Sequence, residues 1–404
     1  MKILSVFGRV EGYKKTNFEI GGSVFSTHFV TEALRKKYAE NGAEVFIFAP
    51  SSLLDSYGGI EGFEKKVKEM GHEGFRTFEI PSLGEWAKFS DVVVAIFLKL
   101  VEERPENVIV SITTGLNIYT VALVDAVRRY VTYRRLERIL QGKNFEAGIA
   151  SHPPPDTSET LKVELYELPV MVFFSFPDTD LDKLYEGNGK RAGEIGKKYA
   201  DVKKKFREIS RKLKIAFNSI RYNTPLAFYE NELLKFDLDL EETEREVLAY
   251  CNDYLRCKIN LDLRNVTNAF YVIAMMKSFR EFRDSLKEPN IEEIREKFLN
   301  VYKELGLGVN GYFLQSELGR IESLVSGKNF EGRKTILELE QLYNIREDIK
   351  DYKGMSRNPK RNFFAHSGFL KEWTEVELRG GKVLLGWKKE NLNEIREWIL
   401  RPEY

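Results

Sequence analysis

Arg361, Asn362 and His366 fall within one short stretch, Arg361-Asn362-Phe363-Phe364-Ala365-His366. Arginine carries a permanent planar cation, and histidine is the side chain that ordinarily titrates near neutral pH. That pairing is the chemistry needed to cleave RNA without a metal. An acid or base must handle the 2′-hydroxyl and leaving-group protons, and a cation must hold the phosphate as its charge redistributes. Asn358 is suited to cap a helix, Pro359 to its first position and Gly368 to its end. On that helix Asn362 and His366 share a face. Arg361 lies about 140° round from His366 and must converge through its long stem. The same spacing also fits a short helix whose histidine simply packs beside Phe363 and Phe364. Arg357 and Lys360 flank the motif as candidate contacts to RNA phosphates.

A second stretch, Val108-Ile109-Val110-Ser111-Ile112-Thr113-Thr114-Gly115-Leu116-Asn117, reads as a buried strand, a small hydroxyl-rich turn and a helix start. Open parallel sheets bind ligands at the C-terminal ends of their strands, where helix N-termini point free N–H groups outward. Thr113 and Thr114 offer hydroxyls, and Gly115 permits close backbone approach. Asn117 can cap the helix or read a base edge. The bland alternative is a turn in which Thr114 or Asn117 only caps. The first strand ends at Gly8-Arg9, and the next helix opens after Gly21-Gly22-Ser23, so Gly8, Arg9 and Ser23 are expected at the same rim. Neither a Walker loop nor a three-glycine dinucleotide fingerprint is present. His152, in Ser151-His152-Pro153-Pro154-Pro155, reads as part of a stiff rim loop.

The elements that must position these groups differ between the two halves. Strands expected at 3–7, 43–48, 76–80 and 107–113 alternate with helices at 25–38, 60–70, 83–103 and 117–140. This implies a parallel, Rossmann-like sheet. Segments 161–167 and 170–176 read as two further strands. The second half is helical by period: 190–220, 241–255, 266–286, 291–305, 312–324, 335–352 and 392–400. Residues 375–378 and 383–387 flank Gly380-Gly381 and read as a β-hairpin. The expected fold class is an α/β Rossmann-like N-terminal domain (1–180), a linking helix (181–225) and a mainly α-helical C-terminal domain with a small β-hairpin (226–404). The linking segment is rich in Lys and Arg, which suits either an RNA backbone or a solvated helix face.

Composition narrows the function classes. Among 404 residues, Lys plus Arg (63) nearly balances Asp plus Glu (62), so any nucleic-acid contact must use a local patch. The hydrophobic share of 43% is that of an ordinary globular protein. Cys251 and Cys257 sit six apart on one helical segment, about 9 Å and about 240° along it, too far for a disulfide. With only four histidines, far apart in sequence, no zinc pattern is visible. The start lacks a signal-peptide layout, and the longest apolar runs are too short to cross a bilayer. A cytoplasmic protein without a structural metal or cofactor is expected.

The order of these two motifs resembles the CRISPR-associated accessory ribonucleases of type III systems, the Csx and Csm families. These join a CARF sensor domain to a HEPN nuclease domain. The resemblance rests on Thr113-Thr114-Gly115-Leu116-Asn117 after a central strand and on Arg361-Asn362 with His366 in the helical half, and it covers essentially the whole chain. It implies a homodimer in which one cyclic oligoadenylate, the tetramer by first choice, sits across the paired CARF domains. It implies a composite, metal-independent endoribonuclease site for single-stranded RNA, leaving a 2′,3′-cyclic phosphate and a 5′-hydroxyl. By match, Arg361, Asn362 and His366 are the nuclease residues, and Thr113, Thr114, Gly115 and Asn117 are the sensor residues. The hairpin at 375–387 reads as an addition to a helical HEPN core. The competing class is a ligand-responsive regulator with a DNA-binding helical domain, for which no clean helix-turn-helix stands out.

Overall fold

A computed structural model describes residues 1–113, 117–142, 145–153, 160–187, 189–235, 237–343 and 358–403. Its first half comprises β1 (Lys2–Val6), β2 (Thr16–Ile20), β3 (Ser23–Thr27), α1 (Val30–Lys37), β4 (Glu44–Pro50), α2 (Ser51–Asp55) and α3 (Ile60–Glu69). There follow β5 (Phe75–Ile80), α4 (Phe89–Glu103), β6 (Val108–Ser111), α5 (Asn117–Leu136), β7 (Ala147–Ser151), β8 (Thr160–Lys162) and β9 (Glu164–Glu167). The main sheet has the order β5-β4-β1-β6-β7-β9, parallel except for β9. The chain winds outward from β1 in both directions, so the topological switch point lies between β1 and β6.

Period-2 alternation divides the sheet faces. Ile3, Phe7, Val45, Ile47 and Ile109 point to one side, into a core closed by Phe29, Leu34, Phe63 and Val67 of the α1–α3 layer. Leu4, Val6, Phe46, Phe48, Val108 and Val110 point to the other, against α4 and α5. That second core does not stop at the sheet domain. It continues without a break through Phe206, Phe217, Phe270 and Phe298 to Phe363 and Ile399.

The helical half comprises α6 (Lys190–Lys198), α7 (Ala200–Arg221), α8 (Leu240–Arg256), α9 (Leu263–Asp284), α10 (Ile291–Glu304) and α11 (Gly308–Val325). β10 (Arg333–Thr335), α12 (Ile336–Leu342), α13 (Pro359–Ala365), β11 (Thr374–Arg379), β12 (Lys382–Trp387) and α14 (Leu392–Leu400) complete it. β11 and β12 form the expected hairpin, with Gly380 (φ 57°) and Gly381 (φ 77°) both left-handed in its two-residue turn. β10 adds a third strand that the sequence did not suggest.

Four expectations need correction. Residues 25–27 are strand, not helix: Gly21-Gly22 turns β2 into β3, and Phe18 pairs with Phe25. A five-residue apolar alternation is too short to separate from a helix start by period alone. The long helix expected at 190–220 breaks at Tyr199 (φ −103°, ψ 26°) into α6 and α7. Segment 170–176 is not a strand. It straps the sheet domain to α7, with Phe174 stacked on Phe217 at 4.5 Å and Phe176 at 5.7 Å. The helix expected at 83–103 begins only at Phe89, where Asp91 accepts from the Lys88 N–H at 2.8 Å. The helix expected at 335–352 is described only as α12, and its remainder lies largely outside the described residues.

Polar contacts hold α4 and α5 to the helical half. Asp91, buried at the start of α4, also accepts from Asn260 Nδ2 (2.7 Å) and the Leu261 N–H (2.8 Å). At the other end Arg104 takes the left-handed conformation (φ 46°) that ends α4, and its Nη1 donates to Tyr133 Oη (2.8 Å) and Glu244 Oε2 (2.9 Å). Lys277 Nζ reaches Glu244 at 2.8 Å and Glu137 at 3.4 Å. With Arg134 Nε 3.0 Å from Glu137, three cations thus meet two buried carboxylates across α4, α5, α8 and α9, an arrangement in which each charge depends on the others for compensation. Burial, then the two carboxylates, hold the Tyr133 phenol far above its ordinary pKa, so it remains a donor.

Candidate active site

The motif helix α13 is short because both ends are specified. Asn358 Oδ1 accepts from the Arg361 N–H at 3.0 Å, with Pro359 at the first helical position. At the other end the Gly368 N–H donates to Phe363 O at 2.8 Å, and Ser367 holds the left-handed position (φ 55°). Ser367 tolerates that strain because Asn223 Nδ2 donates to its hydroxyl at 2.7 Å. Asn223 also accepts from Tyr302 Oη at 2.9 Å and donates to Asn310 O at 3.1 Å, so one amide ties the ends of α7 and α13 to α10 and the start of α11. Gly368 must be glycine: a Cβ there would come within 3.2 Å of Trp387 and 3.3 Å of Thr224, at φ 79°.

Packing sets which way the motif faces. Phe363 is buried between Trp387 (5.6 Å) and Trp398 (5.5 Å), and Phe364 lies against Tyr222 at 5.6 Å. With those two rings inward, Arg361 is exposed and Asn362 is half-buried. The His366 side chain keeps 39% of its surface open and ends the helix. Its Nδ1 lies 3.0 Å from Oε1 of Glu317 on α11. Glu317 is mostly buried, and Arg320 Nη1 stands 3.3 Å from its other oxygen. A carboxylate only accepts, so Nδ1 is the ring nitrogen that presents a proton to Glu317. Nothing local in the sequence links Glu317 to a histidine 49 residues away.

Lys360 already has partners at the surface. Its ammonium is engaged by the carbonyls of Arg401 and Glu403, fastening the segment after α14 to the motif helix. Arg357 lies outside the described residues. Among the described residues no group of three or more His, Cys, Asp or Glu is placed to hold a metal ion.

At the sheet rim, the register Ile3↔Ile109 and Leu4↔Val110 brings the ends of β1 and β6 side by side. Gly8, Arg9 and Thr113 therefore flank the switch point, with Asn117 exposed at the start of α5. Gly8 is buried and its N–H donates to Tyr13 Oη at 3.3 Å, while burial pushes the Tyr13 phenol up to about 12. Arg9 is exposed, and the turn after it is fixed by the Val10 N–H donating to Tyr57 Oη at 2.9 Å. Thr113 Oγ1 lies 3.5 Å from the buried Ser111 hydroxyl. Thr114 and Gly115 lie outside the described residues. Ser23 is not brought to this rim. It accepts from Lys37 Nζ at 3.2 Å, at the C-terminal end of α1, because the β2–β3 hairpin carries it there.

Comparison with known families fits this two-site layout. The family model for the CARF domain of CRISPR system endoribonuclease Csx1 matches residues 2–151, and that for the HEPN domain of the same endoribonuclease matches residues 307–390. No curated protein matches the chain. The rim with Gly8, Thr113 and Asn117 lies in the first matched segment, and Glu317, Arg361, Asn362 and His366 lie in the second. With a sensor segment before a nuclease segment in one chain, the protein belongs to the CRISPR-associated accessory ribonucleases that join a CARF domain to a HEPN domain.

Proposed function

We propose that this ligand-responsive endoribonuclease cuts single-stranded RNA by metal-independent acid–base catalysis at Arg361, Asn362 and His366. The observation that carries the reading is the Glu317–His366 contact, which fixes the imidazole with Nε2 outward. Nε2 takes the proton of a ribose 2′-hydroxyl, and the 2′-oxygen attacks the adjacent phosphorus. The P–O5′ bond breaks as the 5′-oxygen gains a proton. A 2′,3′-cyclic phosphate and a 5′-hydroxyl result. The Arg361 guanidinium holds the non-bridging oxygens as charge builds on them, and Asn362, one turn before His366, hydrogen-bonds the same phosphate.

One histidine per chain is asked to be both base and acid. A homodimer resolves this, since a two-fold axis brings two such helices together. Exposed Val309, Tyr312 and Phe313 on the helix that carries Glu317 support a second copy at this face.

The activator is a cyclic oligoadenylate, the tetramer by first choice, held at Gly8, Arg9, Thr113, Thr114, Gly115 and Asn117 in a cytoplasmic protein. A two-fold ring suits a two-fold cleft. It activates because it binds the active arrangement more tightly than the resting one. α5 supplies a route: it starts at the rim and ends at the Glu137–Glu244–Lys277 contacts with α8 and α9.

Mass spectrometry of products from a labelled single-stranded RNA, with and without cyclic tetra-adenylate, tests this. Ring-stimulated fragments ending in a cyclic phosphate are expected. Fragments with a 5′-phosphate would overturn the mechanism.

A further inference from the structure

The outward face of α7 carries Lys204, Arg207, Arg211, Lys214 and Arg221, all exposed. Their spacing of three, four, three and seven places them in one row on the helix. Along the axis the row extends about 25 Å. A row of cations on a long helix is often only a solvated face, balanced by neighbouring acids. Here the balance is uneven. The lysines on the flank toward α8 and the loop before it are paired: Lys205 with Glu246 at 3.0 Å, Lys212 with Asp237 at 2.7 Å. In the outward row Arg207 pairs with Asp182, and Arg211 stands 3.9 Å from Glu397. Lys204, Lys214 and Arg221 have no acidic partner among the described residues.

Two further observations give the row a direction. A cavity of about 510 Å³ runs beside it, lined by Lys183, Arg207, Arg211, Lys214, Ser210 and Asn265. Asp178 and Asp180 also line it, the latter already accepting from the Asp182 N–H at 3.0 Å. The row also ends at the active site. The carbonyls of Ile220 and Arg221 each accept from Asn310 at 3.0 Å, at the start of the helix that carries Glu317. The next residue, Tyr222, packs on Phe364, one turn from Arg361.

We infer that this face of α7 is a track for the sugar–phosphate backbone of single-stranded RNA, holding the substrate on its way into the nuclease site. The inference rests on the ribonuclease reading above. Point charges that grip the backbone bind with little regard to sequence and weaken with salt. A long RNA reaches the track, and a short one occupies only the cleavage site.

The test uses full-length protein carrying His366→Ala, so that binding is read without cleavage. Lys204→Gln, Lys214→Gln and Arg221→Gln are added together, with Lys205→Gln as a paired-flank control. Fluorescence anisotropy follows labelled RNA of about twenty and about six nucleotides over a salt series. The triple variant is expected to bind the long RNA about tenfold more weakly, with the slope of log affinity against log salt reduced by about two. The short RNA and the Lys205→Gln control should be unchanged. An unchanged affinity and slope for the long RNA, or an equal loss for the short one, overturns the track, as does tighter binding of an equally long single-stranded DNA. Failure of the ribonuclease reading shows separately, as wild-type protein that leaves both RNAs uncut with the ring present.

Discussion

Glu317 Oε1 stands 3.0 Å from His366 Nδ1, on a helix separate from the one that carries the Arg-Asn-His motif. The carboxylate therefore orients the imidazole through Nδ1. Glu317→Gln keeps a hydrogen-bonding oxygen and loses the charge, whereas Glu317→Ala loses both. The Gln variant is expected to lower kcat by about tenfold and the Ala variant by about a hundredfold or more, with KM little changed. Equal losses in both variants, tracking a fall in Tm, would show a packing role only.

His366→Ala should abolish cleavage, and Arg361→Lys should reduce it by about a hundredfold although charge is kept, because a planar fork grips phosphate in a way an ammonium does not. Neither should change Tm by more than about 2 °C, since both side chains are at least partly open to solvent. Cleavage by the Ala variant at the wild-type rate would remove His366 from the site.

Cleavage should persist in excess EDTA at fixed ionic strength. The motivation is the proposed reaction, in which a histidine and an arginine supply the proton transfer and charge stabilisation. A loss of activity reversed by Mg²⁺ or Mn²⁺ would refute it.

Thr113→Ala and Asn117→Ala should each raise the concentration of cyclic tetra-adenylate needed for half-maximal activation by about tenfold, as the loss of one polar contact predicts. Isothermal titration of the ring against each variant checks this. Unchanged ring affinity in both would move the ligand away from the β6–α5 turn.

His72 links pH to stability. It is buried with Thr31 Oγ1 2.9 Å from Nε2 and Glu73 O 3.1 Å from Nδ1, and burial pushes its pKa down to about 4 despite the nearby Glu32 carboxylate. The unfolded chain binds a proton below about 6.5 that the folded chain refuses until about 4. This contribution is fully present at neutral pH and is lost as pH falls through that window, about 3 kcal/mol in all. Urea midpoints between pH 7 and pH 4.5 should fall less steeply for His72→Gln than for wild type.

Much of this was legible before the structure because it is local. Alternating buried strands and periodic helices gave the sheet and the bundle, and Gly380-Gly381 gave the hairpin. Asn358, Pro359 and Gly368 gave the bounds of the motif helix. What escaped was decided by contacts across the chain. Glu317 and Lys277 sit in unremarkable helical sequence, Asn223 in the left-handed turn after α7 (φ 57°), and all three acquire their roles only when helices cross. Ser23 lies away from the expected rim because Gly21-Gly22 turns a hairpin that five residues of apolar alternation do not distinguish from a helix start. Lys360 looked like a phosphate contact because its partners are backbone carbonyls, which carry no sequence signal.

The unbroken core from Leu4 to Ile399 limits how the two ends can be exchanged. Proteins that pair a sensor with an effector are often pictured as interchangeable parts on a string. Here a cut before α7 leaves Phe97 and Tyr133 without Phe270, against which both pack. Exchanging either end for that of a distant relative would require α7, α8 and α9 to travel with both. A chimera that swaps either end is therefore expected to fold only where its α7, α8 and α9 match the half that is kept.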